Sequence, residues 1–595
     1  MAKQLKARNE MDPRYQWHLE DIFPNDADAE KEIGALSALL PEISAYQGHI
    51  ADDPKKAIVE YFEISKRLEK VFSYAMLKHD QDGSNDAYTA LLSRVRGLAA
   101  RMSAASSFME PELLSLPEET LRALSEDPAF SDYSVFLRTL LRNRPHTLPA
   151  AEEKLLAQAQ ESLSAPGEAF RVLSDVELPF PQVPDGEGGE VQLSHGRYGS
   201  LLRSRDREVR KAAFLGMHNT YRDFGGTIAA LYGGSVKRHV FMSQARHFSS
   251  ALASALHPDE VPQEVYDNLL SEVDAALPAL DEYLRVRKKL LNVDELHMYD
   301  LYVPIFADTD FHMGYEDACA LSLEALKPMG EEYLSVMRRA YKEGWIDVYE
   351  NKAKRSGAYS SGVYGVHPYM LLNYEDNLDS VSTLVHEMGH SLHTYFSTKC
   401  QPYPKADYSL FVAEVASTCN EVLLNAYLRQ KYSSDKAMLR YLLSDLIESF
   451  RTTVIRQTMF AAFEKKSHEM AEKGEPLTRE TLTQAYLELN RHYYGREAVV
   501  DEEIGAEWMR IPHFYRDFYV YKYATGFSAA VCIADRILRE GEPAVRDHIR
   551  FLSAGSSVPP IEALKYAGVD MGSPVPVKRA MNVFRDTVAQ LRELI

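Results

Sequence analysis

Apolar residues recur every three or four positions along most of the chain, and this spacing predicts a mainly helical protein. In the first part of the chain the helical pattern is interrupted only by short segments rich in Pro, Asp and Gly, which are typical of turns between helices. We expect helices at 28–48, 54–80, 86–108, 117–126 and 150–164.

The pattern changes at residues 178–189 (LPFPQVPDGEGG), where prolines and glycines predict a loop. Alternating apolar positions after this loop predict a short hairpin through Val191, Leu193 and Tyr198. Helical spacing then resumes. We therefore place a domain boundary here, with an N-terminal helical lobe at 1–185 and a larger lobe at 186–595 that carries the candidate chemistry.

A second non-helical stretch, at 357–369, is rich in Gly, Tyr and Val and predicts a short β element. A strand of this kind can pair with the backbone of an extended peptide, and glycines let that backbone approach closely. An ordinary hairpin inside the lobe fits the composition equally well. The candidate contact residues are Gly357, Tyr359, Gly362 and Tyr364.

Residues 381–392 predict an amphipathic helix with Asp379 or Ser380 as its N-cap. At about 100° per residue, His386 and His390 point away from the apolar face of this helix. We expect that face to be formed by Val381, Leu384, Val385, Met388 and Leu392.

The run His386-Glu387-Met388-Gly389-His390 on this helix is a metal-binding pattern. Histidines four residues apart stand one above the other, so both can hold one zinc ion while Glu387 accepts a proton from a water molecule. A surface helix with two solvated histidines is the alternative. The run 468–472 (HEMAE) lacks the second histidine, and we expect it to be exposed helix.

A third metal ligand is needed, because catalytic zinc usually has three protein ligands and one open position. Glu414 lies in the mostly apolar segment 411–418, where an unpaired carboxylate is costly to bury. Glu421 follows two helical turns later on the same face and could hydrogen-bond a ligating histidine. A helix-face ion pair is the alternative for either glutamate.

Aromatic residues are concentrated after Pro512, where a continuous helix would place Tyr515, Tyr519 and Tyr523 on one face. Tyrosine hydroxyls and the imidazole of His513 are suitable donors to an oxyanion. A stripe of this kind is also typical of core packing.

Composition narrows the classes of function. The net charge of −20 argues against nucleic acid as a partner, and no apolar run is long enough for a membrane span. The start of the chain has no apolar segment of a secretory signal, and its four cysteines have no Cys-x-x-Cys spacing. We therefore expect a cytoplasmic protein, as a monomer or a homo-oligomer, in which Cys419 is a buried apolar residue.

Five segments together resemble the zinc oligopeptidase family that contains thimet oligopeptidase, and most closely its bacterial branch, oligoendopeptidase F. The segments are 386–393 (HEMGHSLH), 411–418 (FVAEVAST), 512–515 (PHFY), 17–23 (WHLEDIF) and 257–259 (HPD). The resemblance implies a mainly α, bilobed fold with a deep channel and a small β element near the active site. It further implies cleavage of short unstructured peptides.

The resemblance also implies roles for individual residues. One zinc ion would be held by His386, His390 and Glu414, with Glu387 as general base. His513 and either Tyr519 or Tyr523 would stabilise the transition state. An exopeptidase with the same zinc site is the nearest alternative, and a helical scaffold protein with a vestigial metal site is the alternative from another class.

Overall fold

The five helices predicted from apolar spacing in the first part of the chain are all present, and the mainly α prediction is confirmed. The structure is a computed structural model that describes residues 5–306 and 311–595. The predicted helix at 150–164 is longer than expected: it continues through Pro166 to Val172, followed by a π-helical turn at Leu173–Glu177. No helix among the described residues is both long and apolar enough to cross a bilayer.

The α-helices in chain order are α1 (Asp26–Ser44), α2 (Pro54–Gln81), α3 (Asp86–Ser106), α4 (Met109–Ser115), α5 (Glu118–Glu126), α6 (Ser134–Asn143), α7 (Ala150–Val172), α8 (His195–Leu202), α9 (Arg207–Asp223), α10 (Gly225–Ala245), α11 (Ala251–Leu256), α12 (Gln263–Ala275) and α13 (Leu277–Leu291). They continue with α14 (Tyr315–Ala325), α15 (Gly330–Ala340), α16 (Leu378–Cys400), α17 (Tyr403–Ala406), α18 (Leu410–Lys431), α19 (Lys436–Ser449), α20 (Arg456–Glu472), α21 (Arg479–Tyr494), α22 (Tyr521–Glu540), α23 (Glu542–Leu552), α24 (Pro560–Tyr566) and α25 (Val575–Glu593). A π-helical turn at Phe450–Ile455 joins α19 to α20. Short 3-10 helices lie at Arg8–Glu10, Pro13–Tyr15, Leu19–Asp21, Pro128–Tyr133, Arg144–His146, His257–Asp259, Met298–Asp300, Lys327–Met329, Glu502–Arg510 and Pro512–Tyr515.

The strands are short and form two small sheets. They are β1 (Gln182–Pro184), β2 (Glu190–Gln192), β3 (Ile346–Asp347), β4 (Tyr359–Ser361) and β5 (Tyr369–Leu371). β1 and β2 pair antiparallel as a hairpin. The second sheet has the order β3-β5-β4, in which β3 is parallel and β4 antiparallel to β5.

The hairpin prediction is confirmed at Val191 but wrong at Tyr198. The turn between β1 and β2 is held by the Asp185 carboxylate, which accepts hydrogen bonds from the backbone N–H groups of Glu187 and Gly189. Tyr198 lies in α8 instead, because the Ser194 side chain caps a helix there by accepting a hydrogen bond from Arg197 N.

The chain divides into two compact units, each assembled from three separate segments. Unit 1 comprises 1–145, 311–427 and 533–569, and unit 2 comprises 146–310, 428–532 and 570–595. The predicted lobes at 1–185 and 186–595 divide the sequence at a single point, and that division stays a prediction.

One hydrophobic core of unit 1 joins distant parts of its sequence. Side chains from α1, α2 and α3 pack with Trp17 and with residues of the small sheet, Val363, Tyr369 and Leu371. The Tyr369 hydroxyl also donates a hydrogen bond to the carbonyl oxygen of His18 at 3.0 Å. This core supports the sheet on which β4 lies.

Candidate metal centre

Helix α16 begins two or three residues earlier than the sequence predicts. Asn377 caps the helix by accepting a hydrogen bond from Ser380 N at 2.8 Å. The predicted caps are wrong because Ser380 Oγ accepts from Glu375 N in the preceding turn, and Asp379 lies in the first helical turn. An acidic residue in the first turn stabilises the helix, because its negative charge lies near the positive end of the helix dipole.

The apolar face of α16 is fully buried, as the periodicity predicts. Its side chains are Val381, Leu384, Val385, Met388 and Leu392, each 0 % exposed. His386 and His390 remain partly accessible, with 25 % and 18 % of their side chains exposed. The centroids of the two imidazole rings lie 4.9 Å apart, which confirms the prediction that the two histidines lie on the same face of the helix.

Helix α18 brings Glu414 to the two histidines. Its Oε2 lies 3.4 Å from Nε2 of His386 and 3.3 Å from Nε2 of His390. One ligand atom from each of the three side chains lies within 4.8 Å of the others. Two imidazole nitrogens and a carboxylate oxygen therefore converge on a space suited to one divalent cation.

The close approach of α18 to α16 depends on Gly389. A Cβ added there would lie 2.5 Å from Ser417 Cα, a distance at which the backbone itself must move. Asn420 joins the same two helices, because its side-chain amide donates a hydrogen bond to the carbonyl oxygen of Val385. The absence of a side chain at Gly389 thus lets the carboxylate of Glu414, the candidate third ligand, come within reach of the two histidines.

Two side chains orient the candidate ligands. Glu421 Oε2 lies 3.4 Å from Nδ1 of His386, the nitrogen that points away from Glu414. Ser417 Oγ donates a hydrogen bond to Glu414 Oε2 at 3.1 Å. Sequence reasoning singled out Glu421 but missed Ser417 and Asn420, although Ser417 follows Glu414 at the i, i+3 spacing that shares a helix face.

The site concentrates negative charge around its histidines. Burial alone would lower the pKa of His386, but Glu414 and Glu421 raise it to about 10. Contacts with His386 and His390 hold the pKa of Glu414 well below its ordinary value. An environment that stabilises a positive charge on an imidazole also attracts a metal cation.

Glu387 lies between the histidines in sequence and is 7 % exposed. Its Oε2 has no hydrogen-bond partner within the described part of the chain. Burial raises the pKa of this carboxyl above its ordinary value. A buried carboxyl with a raised pKa and an unpaired oxygen is suited to exchanging a proton with a reacting molecule.

The predicted tyrosine stripe after Pro512 is broken. The 3-10 helix ends at Tyr515, and α22 begins only at Tyr521, so Tyr515 does not share a helix face with the later tyrosines. Tyr515 packs instead against Phe170, with ring centroids 4.3 Å apart.

The break holds a left-handed residue. Phe518 has a φ of 49°, and its N–H donates a hydrogen bond to Glu464 Oε1 at 3.2 Å. This contact fixes the turn between the two helical segments, because a non-glycine residue adopts this conformation only where its surroundings hold it.

His513, Tyr519 and Tyr523 nevertheless form a cluster in unit 2. The ring centroids of Tyr519 and Tyr523 lie 5.4 Å apart, and each lies about 6 Å from that of His513. Tyr523 Oη lies 3.5 Å from His513 Nε2. Burial lowers the pKa of His513, with Arg516 and Arg456 adding to the effect, so the imidazole is neutral at pH 7.

The residues predicted to contact an extended peptide lie on or beside β4, an edge strand of its sheet. Gly362 packs against α16, where a Cβ would lie 2.7 Å from Thr394 Cγ2. The hydroxyl of Tyr359 donates to Asp80 and that of Tyr364 to the carbonyl oxygen of Gln401. Gly357 has a φ of 83°, which favours glycine.

Two further predictions concern residues outside this centre. Cys419 is fully buried, as predicted, and burial raises the pKa of its thiol to about 12. The expectation that 468–472 is exposed is wrong at His468, which is 1 % exposed and lies within hydrogen-bond distance of His239. The side chain is buried because α20 packs against α10 along that face.

Comparison with known proteins assigns the family. The model of peptidase family M3 matches residues 200–583, and that of oligopeptidase F matches residues 112–180. Oligopeptidase PepF of Bacillus subtilis (strain 168) is 44% identical over 100% of this chain and 89% of its own. The chain belongs to peptidase family M3 and is a metallopeptidase of the endopeptidase type.

Solved structures agree with this assignment. The crystal structure of oligoendopeptidase-F from Enterococcus faecium is 37% identical, with a TM-score of 0.74, covering 96% of this chain and 99% of the other. A solved structure from Chlamydophila abortus has a TM-score of 0.95 at 36% identity and covers 100% of both chains. The family and the mainly helical fold predicted from the sequence are confirmed.

Proposed function

We propose that this protein is a zinc-dependent oligoendopeptidase that hydrolyses internal bonds of short, unstructured peptides. The observation that carries the proposal is the convergence of His386, His390 and Glu414 beside the buried carboxyl of Glu387. Two imidazoles and one carboxylate are a donor set typical of catalytic zinc, which leaves a coordination position open. A zinc ion held there would supply a Lewis acid and lower the pKa of a water molecule toward ~7.

Glu387 acts in this proposal as the general base. Its carboxylate accepts a proton from the attacking water and delivers it to the leaving amine as the peptide bond breaks. The unpaired Oε2 and the raised pKa of this carboxyl support both transfers. No covalent acyl intermediate is required, and the buried thiol of Cys419 is unsuited to forming one.

We assign transition-state stabilisation to the cluster of His513, Tyr519 and Tyr523. A neutral imidazole and a phenol each offer a hydrogen-bond donor to a developing oxyanion, and one such donor typically lowers the barrier by about 3 kcal/mol. The lowered pKa of His513 supports a neutral imidazole in this role. Of Tyr519→Phe and Tyr523→Phe, the variant with the larger loss of kcat identifies the donor.

Strand β4 is the proposed binding edge for the peptide backbone. An edge strand offers unpaired N–H and C=O groups to an extended chain, which gives affinity without reading side chains. The hydroxyls of Tyr359 and Tyr364 are engaged within unit 1, so we assign the contact to the backbone near Gly357 and Gly362. This arrangement favours unstructured substrates, because a folded protein presents few free backbone groups.

The central test is Glu387→Gln with an internally quenched peptide blocked at both ends. We expect zinc content to stay unchanged while kcat/KM falls at least about a thousandfold, because the amide cannot accept the proton. Glu469→Gln, which changes the partly exposed glutamate of the similar run at 468–472, is the matched control. Turnover of the blocked peptide by the wild-type protein supports internal cleavage, whereas cleavage of unblocked peptides alone would favour an exopeptidase.

A further inference from the structure

Unit 2 contains a cavity of about 370 Å³ whose lining residues have no assigned contact with the peptide substrate. The described residues that line it include four arginines and one acidic residue: Arg203, Arg451, Arg456, Arg510 and Glu507. None of these is a candidate metal ligand or a member of the His513 cluster. A cavity lined mainly by guanidinium groups is suited to an anion.

The ion pairs around the cavity leave part of the positive charge of its arginines unbalanced. Glu507 lies 2.6 Å from Arg456 and 3.8 Å from Arg510, so one carboxylate serves two arginines. Arg451 pairs with Glu448 at 2.6 Å. These paired carboxylates are fewer than the arginines that line the cavity, which leaves positive charge there and favours an anion.

Two guanidinium donors in this group are buried and unused. Nη1 of Arg451 and Nε of Arg510 have no hydrogen-bond partner among the residues that the structure describes. The Arg451 side chain is 1 % exposed, and its Nε and Nη2 are held by Glu448 and by the carbonyl oxygen of Leu301. A buried donor without a partner leaves its guanidinium group incompletely compensated, which adds to the attraction of this region for an anion.

Arg451 lies in the π-helical turn at Phe450–Ile455 between α19 and α20. Turns of this kind cost stability and are frequent at functional sites. Nη1 is the one nitrogen of this guanidinium that the neighbouring carboxylate and carbonyl leave unused.

The walls of the cavity are aromatic and apolar. The guanidinium of Arg451 lies 4.8 Å from the ring centroid of Tyr302, and that of Arg510 lies 4.9 Å from the ring centroid of Tyr198. Leu202, Met298 and Ile504 add apolar surface. A ligand that fits this lining has an apolar or aromatic body as well as a charged group.

We propose that this cavity is a binding site for a small organic carboxylate with an apolar or aromatic body. The planar carboxylate pairs with guanidinium groups that line the cavity, and its negative charge offsets part of their positive charge. The aromatic side chains Tyr198 and Tyr302 contact the body of the ligand. The site contains no proposed zinc ligand and no member of the His513 cluster, so either assignment can fail without the other.

The first test compares two probes of nearly the same shape, 3-phenylpropanoate and 3-phenylpropanamide. Isothermal titration calorimetry of the full-length protein should show binding of one carboxylate per chain. The amide should bind at least about tenfold more weakly, because it has no charge to pair with the guanidinium groups. Equal binding of both probes would contradict the proposal.

The second test blocks the cavity from its rim. Gly199 lines the cavity and is exposed on α8, and a Cβ added there meets no atom within 4 Å. Gly199→Trp should therefore fold normally and abolish binding of 3-phenylpropanoate. Gly196→Trp is the matched control, because Gly196 is also exposed on α8 with nothing within 4 Å and does not line the cavity.

The pair of variants also distinguishes the cavity from the metal centre, where a carboxylate could bind zinc. Loss of binding in Gly199→Trp, with retention in Gly196→Trp, would confirm the cavity as the site. If Gly199→Trp binds the probe like the wild type, or if a metal chelator abolishes binding, the carboxylate binds elsewhere and the proposal is wrong.

Discussion

Each ring nitrogen of His386 faces a carboxylate, with Nε2 3.4 Å from Glu414 and Nδ1 3.4 Å from Glu421. When a metal binds one nitrogen of such a histidine, the other donates its proton to the outer carboxylate, which fixes the tautomer and orients the ring. Glu414 and Glu421 are thus alike in distance from the histidine but differ in their proposed roles.

Replacing each glutamate separately should reveal this difference. Glu421→Gln keeps the size of the side chain but removes its charge, so we expect zinc affinity to fall about 10- to 100-fold. Glu414→Ala removes a proposed ligand and should lower zinc affinity further. Competition with a chromophoric chelator measures both. Wild-type affinity in Glu414→Ala would mean that another residue supplies the third ligand.

The buried carboxyl of Glu464 predicts a pH dependence of stability. Burial raises its pKa well above the ordinary value, and the nearby Asp517 adds to the effect. Glu464 therefore takes up a proton on folding near neutral pH. Its contribution to the free energy of unfolding is complete below the ordinary pKa and is lost as pH rises toward the folded value, by up to about 1.4 kcal/mol per pH unit.

Glu464→Gln should remove this dependence while keeping an acceptor for the N–H of Phe518. We expect its Tm, relative to the wild type, to rise steadily between pH 5 and pH 8, with Glu469→Gln on the same helix as a partly exposed control. Thermal unfolding followed by circular dichroism measures the difference. A constant difference across this range would show that Glu464 is not protonated on folding.

At the scale of elements, the contact between α16 and α18 depends on the absence of a side chain at Gly389. Gly389→Ala should lower the free energy of unfolding by about 1–3 kcal/mol, because the new Cβ meets the backbone of Ser417. The same displacement moves Glu414, so zinc affinity should fall too.

The control for this substitution is Gly34→Ala in α1, where a Cβ meets nothing within 4 Å. That change should stabilise the protein by up to about 1 kcal/mol, since alanine favours helix more than glycine does. Urea unfolding of both variants, with zinc titration of each, tests the pair. Equal stability of the two would show that α16 and α18 can separate without cost.

The sequence predicted elements well where a helix has one apolar face, as in α1, α2, α3 and α16. It failed at 516–520, since the break there depends on Glu464 and Phe170, which are distant in sequence. Within the site, the spacing of His386 and His390 was sufficient to predict that they lie on the same face, because both are on one helix. Ser417 and Asn420 could not be identified, because their roles depend on how α18 packs against α16.

At the scale of the whole molecule, the core that joins α1–α3 to β5 bears on the predicted boundary at residue 185. A fragment of residues 1–185 lacks Val363, Tyr369 and Leu371, so its apolar side chains would stay partly exposed. We expect this fragment to unfold without a cooperative transition. Urea titration followed by circular dichroism tests this, and a sharp transition would instead support the predicted N-terminal lobe.

The alternation of segments between the two units also constrains how the protein is made. A ribosome adds about 5–20 residues per second, so synthesis of the 595 residues takes roughly half a minute to two minutes. Unit 1 lacks its third segment until residue 569 has emerged, and unit 2 lacks α25 until later still. Apolar faces of the nascent chain therefore stay exposed until the segments that cover them have been synthesised. Chaperones that shield such faces should matter more for this enzyme than for one whose domains follow one another in order.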